Sequence, residues 1–221
     1  MIITKQKEFK QILEMLKDCK KIFLVGCGEC SATCKTGGEA EVLEVKNKLE
    51  DAGKTVTGVM IPDAPCVAVQ VKTSFAKNIK AVKDSEVILV MACGLGTQSV
   101  KANDRMNLVV LPGCDTLFAG AVDASGEFQE LCSACGECIL DLTGGICPLT
   151  RCSKGLLNGP CGGMDKGKCE VDKEQDCAWV LIYKELDKRG KLDLLRKIQK
   201  PKDYTKTMKP HKLKLENKDV K

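Results

Sequence analysis

The chain has 221 residues, enough for one large domain or two small ones, each with a hydrophobic core. Aromatic residues make up only 4% of it, which argues against nucleic-acid binding by base stacking. No apolar run approaches the roughly 20 residues that a membrane span needs. A single histidine, His211, excludes histidine-rich metal centres and any mechanism that needs two histidines. Because residues 1–10 contain no apolar signal core, we expect a cytoplasmic protein.

Fifteen cysteines are far more than an ordinary cytosolic enzyme contains. Without an export signal they would meet a reducing compartment, where clustered thiols bind metals more often than they form disulfides. An odd count also prevents complete pairing. The cysteines therefore predict metal ligation rather than a disulfide framework.

The net charge of +5 hides an uneven distribution. Residues 188–221 hold 13 Lys/Arg and 4 Asp/Glu, a charge of +9, so the rest of the chain carries −4. The basic segment is interpreted first as a solvated, partly disordered end and second as a docking strip for an acidic partner surface. Since the basic residues lie away from the cysteines, nucleic-acid binding is disfavoured.

Helical and strand patterns alternate in the first half of the chain. Helical spacing of apolar residues predicts helices over 5–19, 37–52, 67–82 and 96–104. Runs rich in Val, Ile and Leu predict strands over 21–26, 55–61, 86–92 and 107–111. This alternation indicates an α/β fold with a Rossmann-like or flavodoxin-like parallel sheet, covered on both faces.

Periodicity is lost over 131–177, a stretch with eight cysteines and many glycines. Such a segment has no conventional core to bury, so bound metal would have to organise it. The sequence predicts a helix near 176–190 and a further helix, rich in basic residues, over 190–199. We therefore expect three parts: an α/β domain over 1–125, a cysteine-rich iron–sulfur or zinc domain over 126–190, and a basic tail over 191–221.

Three cysteines with C-x2-C-x3-C spacing, Cys27, Cys30 and Cys34, follow the first predicted strand. That position is the carboxyl edge of a parallel sheet, where ligands bind. The glycines in this loop do not have dinucleotide-binding spacing, whereas closely spaced thiolates suit zinc or an iron–sulfur cluster. Three thiolates leave one ligand to be supplied from elsewhere.

Later strands supply three candidates for that ligand, because each is followed by a cysteine at the same sheet edge. Cys93 is preferred, Cys66 is second and Cys114 is third, the last with a simple buried role as its alternative. For Cys19, on the first predicted helix, packing is the favoured interpretation. The expected 4Fe–4S cluster is therefore bound by the three loop cysteines and Cys93, or Cys66 in its place.

The second half carries eight further candidate metal ligands: Cys132, Cys135, Cys138, Cys147, Cys152, Cys161, Cys169 and Cys177. The first three reproduce the C-x2-C-x2-C start of a bacterial ferredoxin motif, but eight residues rather than three precede the Cys147-Pro148 pair. Eight cysteines make two tetrads, which suit two 4Fe–4S clusters or one cluster and one zinc ion. An all-zinc structural module is the alternative.

Specific strings in this region carry a family resemblance. They are Cys135-Gly-Glu-Cys138, Thr143-Gly-Gly-Ile-Cys147-Pro148, the run from Cys152 to Gly163, Gly167-Lys-Cys169-Glu-Val171 and Cys177-Ala-Trp179 with Ile182-Tyr183. They resemble the zinc/iron–sulfur C-terminal domain associated with methylenetetrahydrofolate reductases. Cys27-Gly-Glu-Cys30-x3-Cys34 and Ala92-Cys93-Gly94 resemble the small subunit of the two-subunit reductase of anaerobes.

The resemblance implies a non-catalytic subunit of an oxidoreductase in one-carbon metabolism. Its catalytic partner would be a flavin-bearing TIM barrel, with FMN or FAD, that reduces methylenetetrahydrofolate or a related methylene-pterin. This chain would pass electrons to that flavin from ferredoxin or another donor protein. It would do so through two 4Fe–4S clusters, and its cysteines are numerous enough for a third. The alternative is a non-catalytic subunit, with loops held together by zinc, whose role is to dock on the reductase. Cys114 and the basic tail do not fit the family pattern.

Overall fold

A computed structural model describes residues 1–213, which divide into two units. One spans Met1–Phe128 and the other begins at Gln129. Within the described residues, no helix combines the length and the apolar character needed to cross a bilayer.

The first unit contains seven strands, the last of which ends just past its boundary, and six helices. In chain order they are β1 (Ile2–Gln6), α1 (Phe9–Met15), β2 (Lys21–Val25), α2 (Cys30–Thr33), α3 (Glu39–Asp51), β3 (Thr55–Met60), α4 (Ala68–Lys77), α5 (Ile79–Lys83), β4 (Val87–Val90), α6 (Gly94–Asn103), β5 (Val109–Pro112), β6 (Cys114–Val122) and β7 (Phe128–Glu130).

The larger sheet has four parallel strands in the order β3-β2-β4-β5. Its central strands are almost wholly buried, and successive residues face opposite sides. Leu24 and Leu89 pack with α1 and α3, whereas Phe23 and Ile88 pack with α4, α5 and α6. Both faces are covered, which confirms the predicted α/β class and explains the unbroken apolar strands.

A second, smaller sheet was not predicted. It has the order β1-β6-β7, with β1 and β6 antiparallel and Ile2 paired with Ala119. The expected helix over 5–19 is therefore wrong at its start, because 2–6 is a strand and α1 occupies only 9–15. The partner of β1 lies more than 100 residues away, so its pairing leaves no local pattern.

The second unit contains little regular structure. Its helices are α7 (Pro148–Arg151) and α8 (Ala178–Lys188), followed by short 3-10 turns at Leu192–Arg196 and Tyr204–Thr207. The helix expected over 190–199 is thus reduced to one 3-10 turn, which buries no side chain. In the described part of this unit, Trp179, Ile182 and Leu186 on α8 form a buried apolar cluster.

One face of α8 packs within the second unit. Trp179, Ile182 and Leu186 pack against Ile146 and neighbouring residues, so this face is core. Tyr183, grouped with them in the sequence pattern, is about half exposed. Tyr183 therefore lies outside the buried cluster of Trp179, Ile182 and Leu186.

Candidate metal centres

The loop after β2 holds the first three cysteines at the carboxyl edge of the parallel sheet. The Cys27 backbone N–H donates to the Gly37 carbonyl over 2.9 Å, which closes the loop on itself. Gly37 has no room for a side chain, because a Cβ there would lie 1.7 Å from the Met91 carbonyl oxygen. Cys30 begins α2, and the Cys34 N–H donates to its carbonyl over 3.0 Å.

Cys66 and Cys93 reach the same edge from the next two strands. Cys66 lies in the exposed loop after β3, and Cys93 is the buried residue before the first turn of α6. Burial raises the pKa of the Cys66 thiol, and the nearby Cys93, Cys27 and Cys30 raise it further. Cys66 is thus near enough to Cys27, Cys30 and Cys93 for their charges to act on it, and these four cysteines are called here the edge tetrad.

Cys34 and Cys114 are the remaining cysteines that follow these strands, and Cys34 shares a neighbour with Cys30, whose sulfur accepts a hydrogen bond from the Ile2 N–H over 3.5 Å. The Cys34 thiol faces the Ile2 carbonyl oxygen at 3.9 Å, next to β1. Cys114 is buried in the core and donates to the Thr36 carbonyl over 3.4 Å, and burial raises its thiol pKa to about 12. Cys114 therefore fits the alternative interpretation, a small buried core residue. Cys19 packs against the same core, as predicted.

The positive ends of two helices flank the edge tetrad. α4 begins two residues after Cys66, and α6 begins directly after Cys93, each with ten residues. Unpaired N–H groups and the helix dipole favour negative charge at such ends. Four thiolates, alone or around a cluster, carry negative charge, so this edge suits them electrostatically.

In the second unit, four cysteines line one cavity of about 210 Å³. They are Cys132, Cys135, Cys138 and Cys147, called here the cavity tetrad. Apolar side chains, among them Leu131 and Leu149, form much of the remaining wall. This is the first half of the predicted eight-cysteine set, taken in chain order.

The loop that carries the cavity tetrad coils tightly between its cysteines. Ala134 has φ +53° and Gly136 has φ +76°, so left-handed residues lie on both sides of Cys135. The Ala134 N–H donates to the Cys132 sulfur over 3.3 Å. Backbone N–H groups aimed at cysteine sulfurs are a known determinant of cluster potential.

The remaining four cysteines, Cys152, Cys161, Cys169 and Cys177, line a second and much smaller cavity, of about 10 Å³. They are called here the compact tetrad. Backbone hydrogen bonding at Asp172 lowers the pKa of Cys169, and the Ser153 hydroxyl, 3.6 Å away, lowers it further. Trp179 closes one side, where its indole N–H donates to the Leu156 carbonyl over 3.1 Å.

The thiols are grouped but are not in bonding positions. Within residues 1–213, no three His, Cys, Asp or Glu side chains are close enough together to hold a metal ion directly. The donor chemistry nevertheless fits metals, because each group consists of four free cysteines. The ligand assignments therefore remain predictions, now with a spatial grouping.

One residue beside the cavity tetrad was not predicted as part of the site. Lys202 lines the cavity, and its ammonium group lies 3.5 Å from the Cys135 sulfur. A backbone hydrogen bond at Glu137 lowers the pKa of Cys135, and Lys202 lowers it further. Lys202 is 55 or more residues away in sequence from the cysteines that line the cavity. Its own segment shows only a run of basic residues, so the local sequence does not indicate that Lys202 belongs to the site. Of that tail, residues 214–221 lie outside the described part of the chain.

Residues 111–205 match a family model described as "Methylene-tetrahydrofolate reductase C terminal". The matched segment is a little under half of the chain and contains the cavity tetrad and the compact tetrad, as well as Lys202. No curated protein and no solved structure matches the chain. Residues 111–205 are therefore similar to the C-terminal region of methylenetetrahydrofolate reductases.

Proposed function

We propose that this chain is the electron-transfer subunit of a methylenetetrahydrofolate or related methylene-pterin reductase. The observation that carries the proposal is the cavity tetrad, four cysteines around one largely apolar cavity in the part of the chain that matches the reductase family. When bound, a 4Fe–4S cluster supplies one-electron redox chemistry. The residues of the chain would hold it and set its potential.

Cavity size supports a cluster at this tetrad. A tetrahedral zinc site places each sulfur about 2.3 Å from the metal, so the four thiolates close on a single ion. The cavity tetrad instead surrounds about 210 Å³, space for a multi-atom group. Its C-x2-C-x2-C spacing is that of iron–sulfur proteins.

The compact tetrad favours zinc by the same reasoning. Its cavity of about 10 Å³ suits one ion better than a cluster. A closed four-thiolate zinc site needs no open coordination position and contributes directly to folding. We propose a structural zinc ion there, beside the small apolar core on α8.

For the edge tetrad we propose a second 4Fe–4S cluster. Its ligands would be Cys27, Cys30, Cys66 and Cys93, so Cys66 and Cys93 both take part and Cys34 does not. The helix ends beside Cys66 and Cys93 offset the negative charge.

The proposed partner supplies the pterin chemistry. A TIM barrel has eight parallel strands, whereas the parallel sheet described here has four. The flavin, FMN or FAD, would be bound by a separate TIM-barrel subunit. Ferredoxin or another donor protein would supply electrons one at a time, and the flavin would collect them in pairs.

A second candidate function is a purely structural subunit that docks on the reductase through zinc-bound loops. The compact tetrad favours this candidate, because its small cavity calls for no redox group. The two candidates differ in the metal at the cavity tetrad.

Metal analysis of anaerobically purified protein tests the proposal. Two clusters and one zinc ion predict about eight irons, eight acid-labile sulfides and one zinc per chain. Cys138→Ser should remove about four irons, whereas Cys19→Ser, a cysteine in the core of the first unit, should remove none. If the purified protein contains zinc but neither iron nor sulfide, the electron-transfer proposal is wrong and the structural subunit is the better account.

A further inference from the structure

The described part of the basic tail lies against the cavity tetrad, at the place where its charge has most effect. Every other described residue that lines the cavity lies between 131 and 149, whereas Lys202 comes from far along the chain. Its side chain is half-buried, and its ammonium group donates to the Glu137 carbonyl and contacts the Cys135 sulfur. The positive charge of Lys202 would therefore interact directly with a group bound in this cavity.

The segment around Lys202 is anchored on both sides. Before it, Gln199 and Asn158 exchange two hydrogen bonds, of 2.7 and 2.9 Å. After it, the Asp203 N–H donates to the Glu137 carboxylate over 2.9 Å, and Lys206 pairs with the same carboxylate at 2.6 Å. Residues 199–206 are called here the strap.

Close packing fixes the strap on the cysteine loop. A Cβ at Gly136, where φ is +76°, would lie 2.9 Å from Cβ of Lys206. The Asp203 side chain accepts hydrogen bonds from Thr205, which start the 3-10 turn at Tyr204–Thr207. The strap therefore differs from the solvated end that the sequence suggested.

We propose that the strap is a built-in tuning element, in which Lys202 raises the reduction potential of the cluster at the cavity tetrad. This inference rests on the proposed function, since it requires a cluster there. Reduction adds one negative charge to a group that already carries four thiolates. An ammonium group beside one of them stabilises the reduced form more than the oxidised form.

The largely apolar wall strengthens the effect. Much of the wall is apolar, so a charge beside it interacts with the added electron more strongly than a charge on a fully solvated side chain. Removing the Lys202 charge should make reduction roughly tenfold less favourable, a shift of about 59 mV to lower potential for a one-electron couple. Lys200, which lies in the strap but is exposed, should have little influence because solvent and salt screen it.

The test is a redox titration of the full chain, followed by electron paramagnetic resonance. Cys138→Ser first identifies the cavity-tetrad signal as the one that it removes. In Lys202→Met that signal alone should titrate at lower potential, with iron content unchanged, while Lys200→Met and Lys202→Arg should stay close to the unmodified chain. An unshifted signal in Lys202→Met with iron retained would overturn the tuning role.

The remaining outcomes are also decisive. If Lys202→Met loses iron, Lys202→Gln, which still donates to Glu137, takes its place with the same expected shift. Loss of iron from both variants would overturn tuning and make Lys202 a residue that holds the cysteine loop. If Cys138→Ser removes no iron and no signal, the cluster at the cavity tetrad is refuted, and the tuning role with it. An unshifted Lys202→Met signal in iron-loaded protein refutes the tuning role alone.

Discussion

Ile182→Ala tests whether the second unit depends on its small α8 core. Ile182 is fully buried and packs in a cluster of three buried apolar residues with Trp179 and Leu186. Truncation of a buried isoleucine to alanine costs about 3 kcal/mol, from lost transfer free energy and the cavity left behind. With so few buried neighbours, the loss should destabilise the whole unit.

Trp179 makes the assay specific, because it is the single tryptophan of the chain and belongs to the second unit. Urea unfolding of metal-loaded protein, followed by its fluorescence, reports that unit alone. With a slope of about 1 kcal/mol per molar urea, Ile182→Ala should lower the midpoint by about 3 M, or leave the unit unfolded in water.

Two matched variants control the interpretation. Tyr183→Ala, next along α8 and half exposed, should cost less than about 1 kcal/mol. Leu24→Ala, fully buried in the first unit, should leave the Trp179 transition in place while it destabilises the parallel sheet. If Ile182→Ala and Tyr183→Ala move the midpoint equally, the face is not a core and the reasoning fails.

Three further predictions follow from the cysteines. Cys30→Ala should remove about four irons per chain, whereas Cys34→Ala should remove none; equal losses, or loss from Cys34→Ala alone, would refute the ligand set of the edge tetrad. Chelation or oxidation should make residues 131–177 sensitive to protease before the first unit, because that segment has little apolar core to hold it; simultaneous cleavage of both units would contradict this. Burial raises the pKa of Cys114 to about 12, so the folded chain keeps a proton that the unfolded thiol, with an ordinary pKa of 9.0, releases. Stability is therefore unaffected by this group below about pH 9 and falls by about 1.4 kcal/mol per pH unit between about pH 9 and 12; Cys114→Ala should flatten that fall, and identical slopes would count against the assignment.

The parallel sheet was predictable because its signals are local. Three of the four strands, β2, β4 and β5, are short runs rich in Val, Ile and Leu, whereas β3 has Thr and Gly among its apolar residues. The helices between them show helical spacing. The alternation of strands and helices also predicts one common edge for Cys27, Cys66 and Cys93, because parallel strands all end at the same edge of the sheet. The choice of Cys93 or Cys66 as the fourth ligand does not follow from this alternation, because both cysteines follow strands that end at the same edge.

The rest was not predictable, because it depends on contacts between distant residues. The β1–β6 pairing joins residues more than 100 positions apart, and β1, Ile2–Gln6, ends in three polar residues. The strap reaches the cavity tetrad through hydrogen bonds to Asn158 and Glu137, which no periodicity reveals. The division of eight cysteines into two tetrads is simple in chain order, but only the cavities show that the chain folds in that way.

The measurement that tests the central claim most directly is a reconstitution. The flavin subunit of the reductase is combined with this chain, and electron flow is followed from reduced ferredoxin or viologen to methylenetetrahydrofolate. We predict that the flavin subunit alone is inactive with these donors, that the full chain restores activity, and that Cys138→Ser does not. Equal activity of the flavin subunit with and without this chain, for every donor, would contradict the electron-transfer account and leave the structural role in its place.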